Sequence, residues 1–415
     1  MITRRTPRRT IWLLAVAYGL TIANLYYCQP LLPQMARSFA ATSPVGHLTT
    51  AGQLGYALGL VLIVPLGDIV RRRRLVCLLL LVETVALVVT AAAPTVGALL
   101  VAGAAIGLAS ASVVNILVSY AATLAADHER GRVIATMLGG GLAGVLLSRT
   151  VAGLTAGLLG WRALFLAAAA VTLLLTGALA RAMAPSAAAV PIGYAAQLRA
   201  TARLAMSEPV LRRRSLIGAC VFGAFGTFWA TVAFLLAGPP YRYGGAEIGL
   251  FALAGVAGPV VAKLAGRAAD RGWQRPLTGG LLVTGTVAFG LIAVGGRSLG
   301  WLVAGLVLMD VAVQGTHLLN MSVVYGLAGG ARSRIASVYM TFYTLGGVTG
   351  SAAGTAAYRV GGWVAVSAVG AAFMASGLAA WAREGRGGST VRPLRGRATP
   401  SRAGDEPSPR SRAEP

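Results

Sequence analysis

Acidic residues are scarce in this chain: 12 Asp+Glu among 415 residues, against 36 Lys+Arg. Lys263 is its one lysine. Charged residues make up 12 %, about half the share usual in a soluble domain. The three cysteines, Cys28, Cys77 and Cys220, sit inside apolar runs at spacings that suit no metal and are too few for a disulfide framework. They read as small core residues. The histidines, His47, His128 and His317, are far apart, so no His/Cys/carboxylate cluster for zinc is formed. The chain has no Gly-x-x-x-x-Gly-Lys-Ser/Thr loop, which excludes an ATP-driven pump of that type. It offers no Ser/His/Asp set that would support a membrane-embedded enzyme. The expectation is a non-enzyme that needs no cofactor.

What the chain has in quantity is apolar surface. Hydrophobic residues make up 56 % and the mean hydropathy is +0.72, which excludes a soluble globular protein and a disordered one. About 20 apolar residues cross a bilayer, and twelve stretches qualify: 11–35, 45–66, 75–92, 96–120, 133–157, 161–182, 213–237, 247–268, 277–295, 299–326, 335–357 and 361–382. Backbone amides in lipid must pair internally, so each is expected to be a helix. The basic start and apolar run from Ile11 mimic a signal peptide, but the run is too long for one and reads as a retained first span. The expected organisation is an N-terminal segment 1–10, a six-helix half 11–182, a polar central segment 183–212, a second six-helix half 213–383, and a disordered basic tail 384–415.

The basic residues alternate with the spans. With the N-terminus inside, 30 of the 36 fall in or at the edge of inner segments and five, Arg37, Arg162, Arg242, Arg297 and Arg359, in or at the edge of outer ones; Arg149 alone lies deep within a span. This is the positive-inside pattern. The basic charge is therefore topogenic, and nucleic acid is not an expected partner. Both termini are expected in the cytoplasm, the partner is the lipid bilayer, and the central segment and tail can touch anionic headgroups. Arginine in place of lysine, with abundant Ala and Gly, suits a GC-rich bacterial genome, hence a bacterial plasma (inner) membrane.

A shift of 202 residues aligns the halves: Arg130 and Arg132 fall on Arg332 and Arg334, Gly160-Trp161 on Gly362-Trp363, Asp68 on Asp270, and Gly144 on Gly346. Two duplicated six-helix halves are the plan of many secondary transporters, with a site between them near the midplane. The loop Gly266-Arg-Ala-Ala-Asp270-Arg271-Gly-Trp-Gln-Arg275 and its first copy, Val64-Pro-Leu-Gly-Asp68-Ile-Val-Arg71-Arg72-Arg73, resemble the signature Gly-x-x-x-Asp-Arg-x-Gly-Arg-Arg of the major facilitator superfamily. The first copy lacks the first Gly, the Arg after Asp and the middle Gly. The stretch from Ala23 to Pro33 resembles a bacterial branch of drug or sugar efflux permeases. The resemblance implies twelve helices in two pseudo-repeats and a latch in which Asp68 with Arg72 and Arg73, and Asp270 with Arg271 beside Gly266, hold the halves together on the inner side. It also implies, for antiporters, a Gly-rich fifth span with a Gly-Pro pair. Gly140, Gly144, Ser148 and Ala152 supply the small residues, and the proline is absent.

Ionisable residues within spans are costly and therefore informative. Glu83 lies in the third span, Arg149 in the outer half of the fifth, and Asp310 and His317 in the tenth. Asp310, Gln314, His317 and Met321 share one helix face. A carboxyl facing a cavity wetted from alternate sides can take a proton on one and release it on the other. Asp310 with His317, and Glu83, are the proton-coupling candidates; the other reading is structural hydrogen bonding between helices. Arg149 either holds an anionic substrate or pairs with a buried acid. Asn24, Gln29, Asn115, Phe228, Trp229, Asn320 and Tyr343, with Arg149 and Gln314, are the candidates for lining the cavity, where aromatic faces with a few polar handles suit amphipathic solutes. Tyr26 and Tyr27 are assigned to the outer aromatic belt. The glycine stripes of the fourth, fifth and eleventh spans are assigned to helix packing. The expected function is secondary transport of a small organic solute, drug-like or sugar-like, by a monomer rocking between two states. Proton-driven efflux leads, an uptake symporter or facilitator is the alternative, and a non-transporting sensor would need a signalling domain that the sequence does not show.

Overall fold

A computed structural model describes residues 8–39, 42–126, 129–184, 193–255, 273–327 and 332–384. The described residues are helical, and no strand occurs among them. The first six spans run over Arg9–Ser38, Pro44–Gly67, Arg72–Ala92, Val96–Leu124, Arg130–Leu159 and Trp161–Ala182. The seventh is Pro209–Ala237, the ninth Gln274–Val294 and the tenth Leu299–Gly326. The stretch Ile335–Glu384 contains the eleventh and twelfth, which turn into each other at Gly361 and Gly362. The eighth is described over its beginning, Gly245–Gly255. Its remainder, with Gly266, Asp270 and Arg271, lies outside the described residues.

The duplication is visible in the backbone. The fifth and sixth spans meet at Gly160, with φ +81°, and the eleventh and twelfth at Gly362, with φ +58°. These glycines stand 202 residues apart, and each takes a conformation that L side chains rarely adopt. The tryptophan after each locks the hairpin by a ring N–H: Trp161 donates to Ser38 Oγ at 3.1 Å and Trp363 to the Ile292 carbonyl at 2.7 Å. Within each half the spans approach backbone to backbone, as small residues permit. Gly144 of the fifth rests on Gly19 of the first, and Gly346 of the eleventh on Ala219 of the seventh. The stripes assigned to packing thus do pack. Each cluster of buried apolar side chains belongs to a single half.

Several helices depart from the continuous spans expected. The first ends its regular part at Tyr26, turns, and resumes at Leu32–Ser38. Pro30 and Pro33 lie in this stretch, and proline lacks the N–H that an unbroken helix needs. The second changes winding at Gly59 and again at Val64, next to Pro65. The central segment expected over 183–212 contains a helix, Tyr194–Ser207, whose Tyr194 hydroxyl donates to the Leu62 carbonyl at 2.7 Å. The first helix already begins at Arg8, within the expected N-terminal segment. Glu384, placed at the head of a disordered tail by its sequence, closes the last helix and is buried.

Hydrogen bonds join the halves toward the end of the bundle whose loops carry few arginines. Thr50 and Ser351 share one at 2.9 Å, Thr355 donates to the Gly46 carbonyl at 3.3 Å, and Thr150 to the Gly249 carbonyl at 3.2 Å. Gly153 of the fifth span lies against Gly245 and Gly249 of the eighth.

Candidate transport site

The charged side chains of the spans separate into three groups. The first lies inside the N-terminal half. Glu83 is fully buried; Oε1 accepts from Asn24 Nδ2 at 3.0 Å and from Ser110 Oγ at 2.8 Å, while Oε2 has no partner. Asn24 Nδ2 also donates to Thr172 Oγ1 at 3.1 Å, and the Thr21 carbonyl, 3.1 Å from Ser110 Oγ, shares that hydroxyl's single proton with Glu83. This knot ties the first, third, fourth and sixth spans together. Asn24 lines a small cavity within that half, with Thr49, Thr90 and Phe165. Asn24 therefore serves Glu83 rather than the space between the halves, as its sequence position had suggested.

The second group lies inside the C-terminal half, at the arginine-rich end. Arg214 and Glu384 form a two-point ion pair, Nη2 to Oε2 at 2.9 Å and Nε to Oε1 at 3.0 Å, and both are buried. Asn320 Oδ1 accepts from Arg214 Nη1 at 3.3 Å, and Asn320 Nδ2 donates to the Arg214 carbonyl at 3.4 Å. Asn320 is thus a partner of Arg214 and not a wall of the cavity. Phe228 is also corrected: it is fully buried in the C-terminal half, edge-on to Trp229 and Trp363.

The third group stands where the halves meet. Arg149 and Asp310 lie ten and eleven residues from the arginine-poor ends of their helices. That is about 15 Å at 1.5 Å per residue, near the middle of a hydrocarbon core about 30 Å thick. Arg149 is 2 % exposed, and its Nε donates to Gln29 Oε1 at 2.8 Å. Its guanidinium carbon sits 3.9 Å from the Trp229 ring centroid and 5.0 Å from that of Tyr26. Tyr26 is therefore part of the centre and not of an outer belt. Asp310 is buried and has no hydrogen-bond or ion-pair partner among the described residues, yet it lies within the electrostatic reach of Arg149.

From Trp229 an aromatic chain continues: Phe225 at 6.0 Å between centroids, Phe222 a further 5.4 Å, Tyr343 at 4.2 Å from Phe222, and His317 at 4.5 Å from Tyr343. His317 Nδ1 and the Tyr339 hydroxyl share a hydrogen bond of 3.2 Å. Asn115 faces Tyr56, and its Nδ2 donates to the Ala111 carbonyl at 2.8 Å. Gln314 is half-buried on the tenth span. Phe222 and Tyr56 escape a reading of the sequence, where lone aromatics in an apolar helix carry no mark of direction. At the expected latch, Arg72 Nε donates to the Gly67 carbonyl at 3.2 Å, in the turn that ends at Asp68, and Arg73 is half-buried.

A duplicated all-helical bundle with its unpaired charges and aromatics at the seam between halves is the architecture of a secondary transporter. The family model of the Major Facilitator Superfamily matches residues 14–350, and the chain belongs to that family. It is 39 % identical over 374 residues to the uncharacterized transporter YgaY of Escherichia coli O157:H7, covering 90 % of this chain and 95 % of the relative. In three dimensions it is similar to a bacterial homolog of the human lysosomal transporter Spinster in an inward-facing, occupied conformation. The TM-score is 0.74 at 14 % identity, over 92 % of this chain and 97 % of that one. It is also similar to the human organic anion transporter MFSD10, with a TM-score of 0.64 at 19 % identity, over 90 % and 99 % of the two chains. Those structural likenesses concern the fold.

Proposed function

We propose that this transporter exports a small organic solute, drug-like or sugar-like, in exchange for protons across a bacterial plasma membrane. The arginine-rich loops and both termini face the cytoplasm, and a single chain rocks between two states. The observation that carries this reading is Asp310. Its carboxyl is buried near mid-membrane, with no fixed partner among the described residues, facing the field of Arg149 and grouped with Tyr343, and His317 lies two turns further along the same helix. An acid without a fixed partner is free to exchange its proton as access alternates, whereas Glu83 is already engaged by two donors. The bonds Thr50–Ser351, Thr355–Gly46 and Thr150–Gly249 support a state closed toward the outside.

The test is accumulation of fluorescent dyes, antibiotics and sugars in cells expressing the protein, against empty-vector cells, with and without a protonophore. Lower accumulation that the protonophore reverses is the expected result. Asp310→Asn is expected to abolish it while the protein still inserts. Raised accumulation turns the reading to uptake, and full activity of Asp310→Asn removes that residue from coupling.

A further inference from the structure

Two donors at the seam have no acceptor among the described residues. Arg149 Nη2 and Trp229 Nε1 are both buried and without a hydrogen-bond partner among the described residues. Both side chains line one cleft between the halves, together with Gln29, Val232, Ile248 and Phe251. Gln29 already accepts from Arg149 Nε, and the remaining walls are apolar. A buried donor left unpaired costs about 1–3 kcal/mol, more when it is charged. A cation in a membrane interior is a functional feature by default, and Asp310, the acid within its reach, forms no ion pair with it among the described residues. Arg149 comes from the N-terminal half and Trp229 from the C-terminal half, so an acceptor held by both would bridge the parts that move.

We propose that this cleft receives the carboxylate of an organic monoanion. One oxygen accepts from Arg149 Nη2 and the other from Trp229 Nε1. The apolar body of the solute lies along Phe225, Phe222 and Tyr343, which continue from Trp229. With Asp310 protonated the site holds one cation and no anion, so one negative charge matches it. A neutral solute makes the weaker of two hydrogen-bond types, since charge-assisted bonds are roughly twice as strong. A cationic solute meets Arg149 as a like charge. This inference rests on the transporter reading above and names the substrate class of its central site.

The experiment is binding to the purified full-length protein, with no gradient present. The readouts are the thermal-unfolding midpoint and quenching of tryptophan fluorescence. The probes are one-, two- and three-ring aryl carboxylates, each with its primary amide and its amine, and sodium chloride alone at equal ionic strength. At least one carboxylate is expected to bind tenfold or more tightly than its amide. Arg149→Gln is expected to erase that ratio. Trp229→Phe keeps a ring against Arg149 and removes only the N–H, so it is expected to reduce the ratio several-fold, and it reports on the site even where Arg149→Gln fails to fold. Amides or amines that match the acids, no binding by any carboxylate, or chloride protecting as well as the carboxylates would each overturn the proposal. Because nothing is transported here, such a failure is distinct from a failure of proton-driven export, which the cell assay reads.

Discussion

Arg149 of the fifth span stacks 3.9 Å from the ring centroid of Trp229 of the seventh, so a cation of one half closes onto an aromatic face of the other. A desolvated contact of this kind contributes about 2 kcal/mol. Trp229→Ala is therefore expected to favour opening of the arginine-poor end by roughly 30-fold, since about 1.4 kcal/mol is a factor of ten. Maleimide labelling of Thr50→Cys, in a background with Cys28, Cys77 and Cys220 replaced, measures this as a rate. An unchanged labelling rate would show that the contact does not hold that end shut.

Thr50 and Ser351 face each other across the halves with their hydroxyl oxygens 2.9 Å apart. Cysteines at both positions fall within the reach of a disulfide, whose Cβ atoms stand about 3.5–4.5 Å apart. Thr50→Cys/Ser351→Cys is expected to cross-link on mild oxidation, stop transport, and recover when reductant is added. Each single cysteine variant is expected to be insensitive to the oxidant. Transport that survives full cross-linking would mean that the halves do not separate at this point.

The ion pair Arg214–Glu384 lies wholly inside one half, so its work is to join the seventh and twelfth spans. Removing one partner of a buried pair costs about 3–5 kcal/mol, whereas replacing both with apolar residues is often neutral. Glu384→Gln and Arg214→Gln are each expected to lower the thermal midpoint markedly in detergent. Arg214→Met/Glu384→Leu is expected to regain most of the loss. A double variant as unstable as the singles would assign the stability to Asn320 and the geometry of the whole network.

Glu83 offers a sharper contrast. Both donors, Asn24 and Ser110, bond the same oxygen, Oε1, and the carbonyl of a glutamine can accept both. Glu83→Gln is expected to keep the fold and transport, and Glu83→Ala to lose about 2–4 kcal/mol by leaving buried donors unpaired. A folded Glu83→Gln that no longer transports would place this residue in the coupling step.

Much of the architecture can be read from the chain because bilayer physics writes it in long runs. The hydropathy of the spans, the alternation of arginines and the 202-residue offset each report on the fold directly, and Gly160 and Gly362 carry the offset into matching backbone turns. Asp310 and Arg149 stand out by the cost of their charge; Arg149 lines the cleft at the seam, and Asp310 is within its electrostatic reach. The sequence is silent on which way a polar residue points. Asn24 and Asn320 are as polar as Gln29, yet they turn into their own halves to serve Glu83 and Arg214. Arg214 follows Arg212 and Arg213, so its composition reads as loop; only the third dimension brings Glu384, 170 residues away, against it. The helix of the central segment, Tyr194–Ser207, is too polar and too short to register in a search for spans.

The glycine contact between the fifth and eighth spans bears on how easily the protein moves. Gly153 meets Gly245 and Gly249 backbone to backbone, and the Thr150 hydroxyl bonds the Gly249 carbonyl beside them. Bringing one surface onto the other between these glycines requires no knob to enter a hole, so this contact acts as a flush joint. A methyl at Gly153 would collide with the Gly245 carbonyl oxygen and the Gly249 backbone, so it would force the two surfaces apart and hinder closure of the arginine-poor end.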